Sequence, residues 1–273
     1  MSAYDLIAFD MDGTLLDSAK QITSRTLDMI SIAESRGKIV CLGTGRCIPE
    51  LQEYIPQIPG LRYIIGESGV FVRDLLTDTD IFSSPLPVET AIELLRRVQE
   101  TGIDVMPHIH CDRSIVQLDH VPRMAEFNMA VYQPLYERIC TMVEDIYSFF
   151  LSAPFAPNKI NLYCKTIRQR DFLEDLLSDL NVKFKHVEGL SLECMPVNAS
   201  KGDGLKRLCT HLSIPVERSI AVGDADNDLE MLSAAGLAIA MGNANDHVKA
   251  LADVIVADND HDGCAEAICN YLL

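Results

Sequence analysis

Asp10 and Asp12, in the run Ile7-Ala8-Phe9-Asp10-Met11-Asp12-Gly13-Thr14-Leu15, are the residues of this chain with the plainest capacity for chemistry. An apolar stretch suited to a buried strand ends in two aspartates at i and i+2, followed by a glycine turn. In extended backbone, side chains two apart share a side, so both carboxylates would face one pocket. Two like charges that close are costly unless a cation or a proton relieves them. That is the arrangement expected for magnesium-assisted phosphoryl transfer. By itself Asp-Gly is a common turn pair, and an Asx turn would explain it equally well.

Three further segments have the same form, polar or glycine-rich residues placed after an apolar run or at a helix start. Gly43-Thr44-Gly45-Arg46 offers a hydroxyl and backbone N–H groups to phosphate oxygens, with Arg46 either a substrate contact or a solvated surface residue. Lys201, in Asn198-Ala199-Ser200-Lys201-Gly202, brings a compact ammonium just inside a helix start, where it could neutralise a phosphoryl group and Asp10. Gly223-Asp224-Ala225-Asp226-Asn227-Asp228 offers oxygen ligands suited to magnesium; an acidic helix start is the plainer alternative. An EF-hand reading fails, because the chelating glutamate and the glycine spacing are absent.

The elements that would position these residues alternate along the chain. Strands are expected at Tyr4–Phe9, Lys38–Leu42 and Tyr63–Ile65, a helix over Ile22–Ser35, and a hairpin over Val70–Phe82. After Pro85-Leu86-Pro87 the pattern changes. A helix over Val88–Thr101 precedes strands at Ile103–His108 and Ser114–Leu118, and a helical stretch covers Leu135–Phe150. Strand Lys159–Cys164, helix Arg168–Leu180 and strands Val182–His186 and Leu190–Cys194 complete an α+β unit. Alternation resumes with helix Lys201–Leu212, strand Ser219–Val222, helix Asp228–Ala235, strands Leu237–Met241 and Asp253–Val256, and a closing helix Asp262–Leu272. The middle unit therefore interrupts an α/β domain with a parallel sheet, whose ligands would bind outside the carboxyl ends of the strands.

Composition narrows the partners. The 273 residues hold 23 basic against 40 acidic side chains, a formal net charge of −17, which argues against nucleic acid and anionic membranes. Nine cysteines form no CxxC pair and read as reduced, mostly buried thiols. No basic leader and no apolar run long enough to span a bilayer is seen, so a cytoplasmic location is expected.

Taken in order, residues 10–14, 44–46, 201 and 223–228 resemble the four motifs of the haloacid dehalogenase superfamily, mostly aspartate-nucleophile phosphatases. Gly-Asp-x-x-Asn-Asp-x-x-Met, ending at Met231, and the tail Met241-Gly242-Asn243-Ala244 are similar to the Cof-type, type IIB sugar phosphatases. The resemblance implies a Rossmann-like doubly wound core over residues 1–84 and 196–273, with a C2B-type α+β cap inserted at 85–195. It implies Asp10 as nucleophile and Asp12 as general acid and base. Met11, Thr44, Gly45, Lys201 and Asn227 would bind the phosphoryl group. Mg2+ would be held by Asp10, Asp224 and the Asp12 carbonyl, with Asp228 acting through a bound water. The substrate would be a small phosphorylated metabolite, a sugar phosphate for preference, with Arg46 as a candidate contact; Lys159 and Asn161, on the expected strand Lys159–Cys164, read either as substrate contacts or as sheet-surface residues. A phosphomutase, or a receiver module phosphorylated on Asp10, is the alternative. Glu67-Ser68-Gly69 departs from the subgroup's Glu-Asn-Gly. His108-Ile109-His110 reads as a surface or hydrogen-bonded pair rather than a metal site.

Overall fold

The computed structural model describes residues 3–187 and 190–273. In chain order, the first segment contains β1 (Leu6–Phe9), α1 (Ser24–Ser35), β2 (Ile39–Gly43), α2 (Ile48–Leu51), β3 (Tyr63–Gly66), β4 (Phe71–Asp74) and β5 (Thr79–Ser83). The middle segment contains α3 (Val88–Glu100), β6 (Met106–His110), β7 (Ser114–Gln117), α4 (Gln133–Ile139), β8 (Thr141–Val143), α5 (Ile146–Ser152), β9 (Lys159–Tyr163), α6 (Ile167–Leu177), β10 (Val182–Val187) and β11 (Ser191–Pro196). The last segment contains α7 (Lys201–Leu212), β12 (Ser219–Gly223), α8 (Leu229–Ala234), β13 (Leu237–Ala240), α9 (Asp246–Leu251), β14 (Val254–Ile255) and α10 (Gly263–Ala267).

Two compact units result. One comprises residues 1–46, 52–83 and 199–273, and the other 47–51 and 84–198. The first is built on an eight-stranded sheet in the order β14-β13-β12-β1-β2-β3-β4-β5. It is parallel from β14 to β3 and antiparallel at β4 and β5. The central strand β1 is apolar at every position because both of its faces are covered. Leu6 and Ala8 pack with Leu205, Leu208, Met231 and Leu232 of α7 and α8, while α1 and α10 pack on each other, α1 also against β2. Each fully buried leucine or isoleucine of this kind contributes about 1.5–3 kcal/mol through removal from water.

The second unit has a six-stranded sheet, β10-β11-β9-β6-β7-β8. Helix α3 shows why its side of that sheet is sealed: Ala91, Leu94, Leu95 and Val98 follow the i, i+3, i+4, i+7 spacing of a single stripe, and all are buried.

Several expected elements differ. The stretch Leu135–Phe150 is not one helix but α4 and α5 separated by β8, which pairs in parallel with β7. Thr141 and Val143 are β-branched, and Asp145 starts α5 afresh by capping the Tyr147 and Ser148 N–H groups. The strand expected at Ile103–His108 begins at Met106 and runs to His110. The expected strand Asp253–Val256 shortens to the two-residue edge strand β14. The closing helix ends at Ala267 and continues as a wider turn over Ile268–Leu272. Short 3₁₀ segments, such as Val121–Phe127, were not foreseen. All nine cysteines are free thiols. No described helix is long and apolar enough to cross a membrane.

Candidate active site

Neighbouring strands β12, β1 and β2 end at Gly223, Phe9 and Gly43, so the residues that follow them gather at one edge of the sheet. Asp10 is tied there by its N–H, which donates to the Val222 carbonyl at 3.0 Å. The turn after it needs glycine: Gly13 has φ +79°, and a Cβ would lie 2.4 Å from Asp224 Oδ2. Thr14 Oγ1 donates to Asp224 Oδ1 at 2.8 Å, and Asn243 Nδ2 to the Gly13 carbonyl at 2.7 Å.

Lys201 is the first residue of α7, which Ser200 caps by accepting from the Asp203 N–H at 3.0 Å. Its side chain is fully buried, with Nζ 2.5 Å from Asp10 Oδ1 and 2.6 Å from Asp228 Oδ1. The other oxygen of Asp228 accepts from the N–H groups of Asp224 and Ala225 at 3.1 and 3.2 Å. One ammonium thus stands against three carboxylates, for ligand oxygens of Asp10, Asp224 and Asp228 lie within 4.8 Å of one another.

The electrostatics follow from that imbalance. Burial pushes the Asp10 carboxyl up to about 8; Asp228 and Asp224 add to the rise and Lys201 opposes it. Burial also lifts Asp224 to about 6, against the Thr14 hydrogen bond. Burial alone would lower Lys201, but Asp10 and Asp228 outweigh it and hold the ammonium above its ordinary range. The cluster has an uncompensated negative charge and offers only oxygen donors, which fits a hard divalent cation such as Mg2+.

Asp12 has different company. Arg46 Nε and Nη2 donate to its two oxygens, each at 2.8 Å, and Lys20 Nζ donates at 2.7 Å. Burial would raise this carboxyl, yet the Arg46 bonds and charge, helped by Lys20, pull it down to about 2. Arg46 also lies over the Tyr54 ring, 5.3 Å from its centroid.

Thr44 follows β2 and is buried, its N–H bound to the Ile65 carbonyl and its Oγ1 accepting from the Arg46 N–H at 3.1 Å. The Ser68 N–H donates to the Thr44 carbonyl at 2.9 Å and the Glu67 N–H to the Arg46 carbonyl at 3.2 Å. Met11 is buried, Gly45 half-buried, and Asn227 sits half-buried in the turn Asp226–Asp228.

Asn161 and Lys159 belong to β9 of the second unit, where both are buried; Lys159 Nζ is 2.5 Å from Glu193 Oε2. His108 and His110 are buried rather than superficial, and His108 is bonded to Ser114 and Tyr136. Sequence reasoning assigned no role to Thr14, Lys20 or Asn243. Thr14 and Asn243 lay inside noted motifs, whereas nothing in the local sequence marked Lys20.

A family model described as haloacid dehalogenase-like hydrolase matches residues 7–268. The chain belongs to the haloacid dehalogenase-like hydrolase family. The Cof-type, type IIB resemblance of its motifs stands with that assignment. The chain is 29% identical to the 5-amino-6-(5-phospho-D-ribitylamino)uracil phosphatase YitU of Bacillus subtilis, over 97% of each chain. It is 30% identical to a protein of Arabidopsis thaliana named endoribonuclease YBEY, chloroplastic, with 98% of this chain aligned; it spans 46% of that protein's length. Among solved structures, a haloacid dehalogenase-like hydrolase from Bacteroides thetaiotaomicron matches with a TM-score of 0.82 and 25% identity, over 97% of this chain and 98% of the other.

Proposed function

We propose that this haloacid-dehalogenase-type phosphatase, a phosphoric monoester hydrolase, acts on a small phosphorylated metabolite with Asp10 as its nucleophile. The observation that carries the proposal is Lys201 Nζ held between Asp10 and Asp228, with Asp224 alongside. A buried ammonium among three carboxylates orients the nucleophile and leaves charge for a cation to balance.

In the first step an Asp10 oxygen bonds to phosphorus as the ester oxygen leaves, and Asp12 protonates that oxygen. In the second, Asp12 takes a proton from water, whose oxygen attacks phosphorus and frees Asp10 with release of inorganic phosphate. Arg46 and Lys20 hold Asp12 in its basic form, so protonation of the leaving group requires them to loosen. A dianionic phosphoryl group competes for the same cations. Thr44, the backbone of Met11 and Gly45, Asn227 and Lys201 would hold the phosphoryl oxygens. Asp10, Asp224 and the Asp12 carbonyl would hold Mg2+, which supplies positive charge beside the phosphoryl group. Asp228 supports this set through Lys201 and the backbone of residues 224 and 225.

The first unit would serve as catalytic core and the second as the inserted cap that selects substrate. The preferred substrate is a sugar or sugar-alcohol phosphate, a reading supported by the phosphoribityl compound in the Bacillus subtilis relative's name. Nine free thiols and a net charge of −17 suit a reducing, cytoplasmic setting and a small-molecule partner. The test is phosphate release from sugar phosphates, nucleotides and p-nitrophenyl phosphate, with magnesium and with EDTA. Magnesium-dependent release is expected, strongest for sugar or sugar-alcohol phosphates. No release from any compound would contradict the proposal.

A further inference from the structure

Residues 17–21 form a densely bonded turn. The Asp17 N–H donates to the Gln21 carbonyl and the Lys20 N–H to the Asp17 carbonyl, each at 2.9 Å. Asp17 Oδ1 accepts from the N–H groups of Ala19 and Gln21 at 2.9 and 2.8 Å, closing the turn with its own side chain. Ser18 is anchored to Asp260, its N–H and its hydroxyl each donating to a carboxylate oxygen at 2.7 Å. Tyr54 OH donates to the Lys20 carbonyl at 3.2 Å. Every one of these groups belongs to the first unit.

The residue so held has a backbone conformation that lysine seldom adopts. Lys20 has φ +60°, in the left-handed region. A residue persists there when its surroundings over-determine it, and such residues cluster at functional sites. Its ammonium is set on the acid and base of the proposed reaction, with Nζ 2.7 Å from Asp12 Oδ1. Stability does not explain the arrangement. The two side chains are 49% and 40% exposed, and an ion pair so exposed adds little to folding.

Asp12 shows what the ammonium changes. Its Oδ1 accepts two bonds, from Lys20 Nζ and Arg46 Nη2, whereas its Oδ2 accepts one, from Arg46 Nε. Each carboxylate oxygen has two lone pairs, so Oδ1 is filled and Oδ2 keeps one free. Without Lys20 the two oxygens would be alike, and Arg46 alone would orient the carboxylate. Tyr54 touches both cations, its hydroxyl on the Lys20 carbonyl and its ring beneath Arg46.

We infer that Lys20 is a positioning residue for the hydrolytic step: it occupies Asp12 Oδ1 and leaves Oδ2 as the atom that takes the proton from the attacking water. The inference rests on the phosphatase reading and deepens it. In that step the water oxygen bonds to phosphorus and the bond from phosphorus to the Asp10 oxygen breaks. The water proton passes to Asp12 Oδ2, and inorganic phosphate leaves. Loading of Asp10 from p-nitrophenyl phosphate needs no proton from Asp12, because p-nitrophenolate departs as the anion. With that ester, Lys20 should bear on the second step and not on the first.

The test is rapid-mixing and steady-state turnover of p-nitrophenyl phosphate, with magnesium, by the parent, Lys20→Gly and Lys20→Arg. Glycine takes a φ of +60° without strain, so Lys20→Gly keeps the turn and removes only the side chain. It should release about one equivalent of p-nitrophenolate per site at the parental rate and then turn over about tenfold more slowly than the parent. Phospho-Asp10 should accumulate in its acid-quenched samples. KM should fall with kcat, leaving kcat/KM within about threefold of the parental value. Lys20→Arg, which keeps a cation at the turn, should recover most of kcat. In Lys20→Gly, an unmoved kcat, or kcat and kcat/KM falling together, would overturn this inference alone. No turnover by the parent would overturn the phosphatase reading, and this inference with it.

Discussion

Lys201 shows what a single residue does in this site. Its ammonium is fully buried, and it is tolerable there because Asp10 and Asp228 both accept from it. Replacing it with methionine leaves three carboxylates facing one another with no internal cation. Lys201→Met should abolish turnover and lower metal-free stability by about 3–5 kcal/mol; denaturant unfolding in EDTA checks this, and a stability unchanged from the parent would contradict the role. The same charge excess sets a pH dependence. Asp10 and Asp224 have folded-state pKa values raised to about 8 and about 6, above the ordinary 3.8. Their stabilising contribution is therefore fully present below about 3.8 and is lost as pH rises through about 6 and then about 8. Tm in EDTA should fall across that window, and the fall should flatten in Asp10→Asn with Asp224→Asn. An equal slope in parent and variant would contradict the assignment.

At the scale of elements, the turn after β3 joins two parts of the site. Glu67, Ser68 and Gly69 have φ of +48°, +59° and +94°, three left-handed residues in succession. Ser68 reaches back to the Thr44 carbonyl, while a Cβ on Gly69 would lie 1.9 Å from the Ser200 carbonyl oxygen, just before Lys201. Gly69→Ala should therefore cost about 1–3 kcal/mol of stability and shift the start of α7. The measurements are Tm and kcat together. A stable variant with parental kcat would show that this contact does not position Lys201.

The same turn marks where sequence reading stops. Asp10, Thr44 and Asp224 were legible because each follows an apolar strand, and parallel strands bring their carboxyl ends together. Helix α3 was legible from its single apolar stripe. Ser68 could be noted only as a departure, because nothing local shows which loop it bonds. The Arg46 and Lys20 partnership with Asp12, and the bond from Lys201 to Asp228, join residues that only the tertiary fold brings together. Strand β8 was hidden inside a helical periodicity because three residues are too short a run to announce a strand.

At the scale of the whole molecule, the sequence is divided between a largely parallel sheet that gathers Asp10, Thr44 and Asp224 beyond the carboxyl ends of its strands and a second sheet that carries none of them. If, as proposed, the first unit performs the chemistry and the second selects the substrate, changes in the second unit should alter which ester is cleaved more than whether one is. The net charge of −17 repels anionic substrates overall, so the proposed chemistry would depend on the local cations Lys201, Arg46 and Lys20 together with magnesium. All of this turns on Asp10 carrying the phosphoryl group. The most direct measurement is a rapid acid quench of a single turnover with a radiolabelled phosphomonoester, followed by proteolysis. Label on the peptide containing Asp10, present with magnesium and absent both in EDTA and in Asp10→Asn, is the predicted result. Phosphate release at full rate from Asp10→Asn, with no labelled peptide in the parent, would contradict the account.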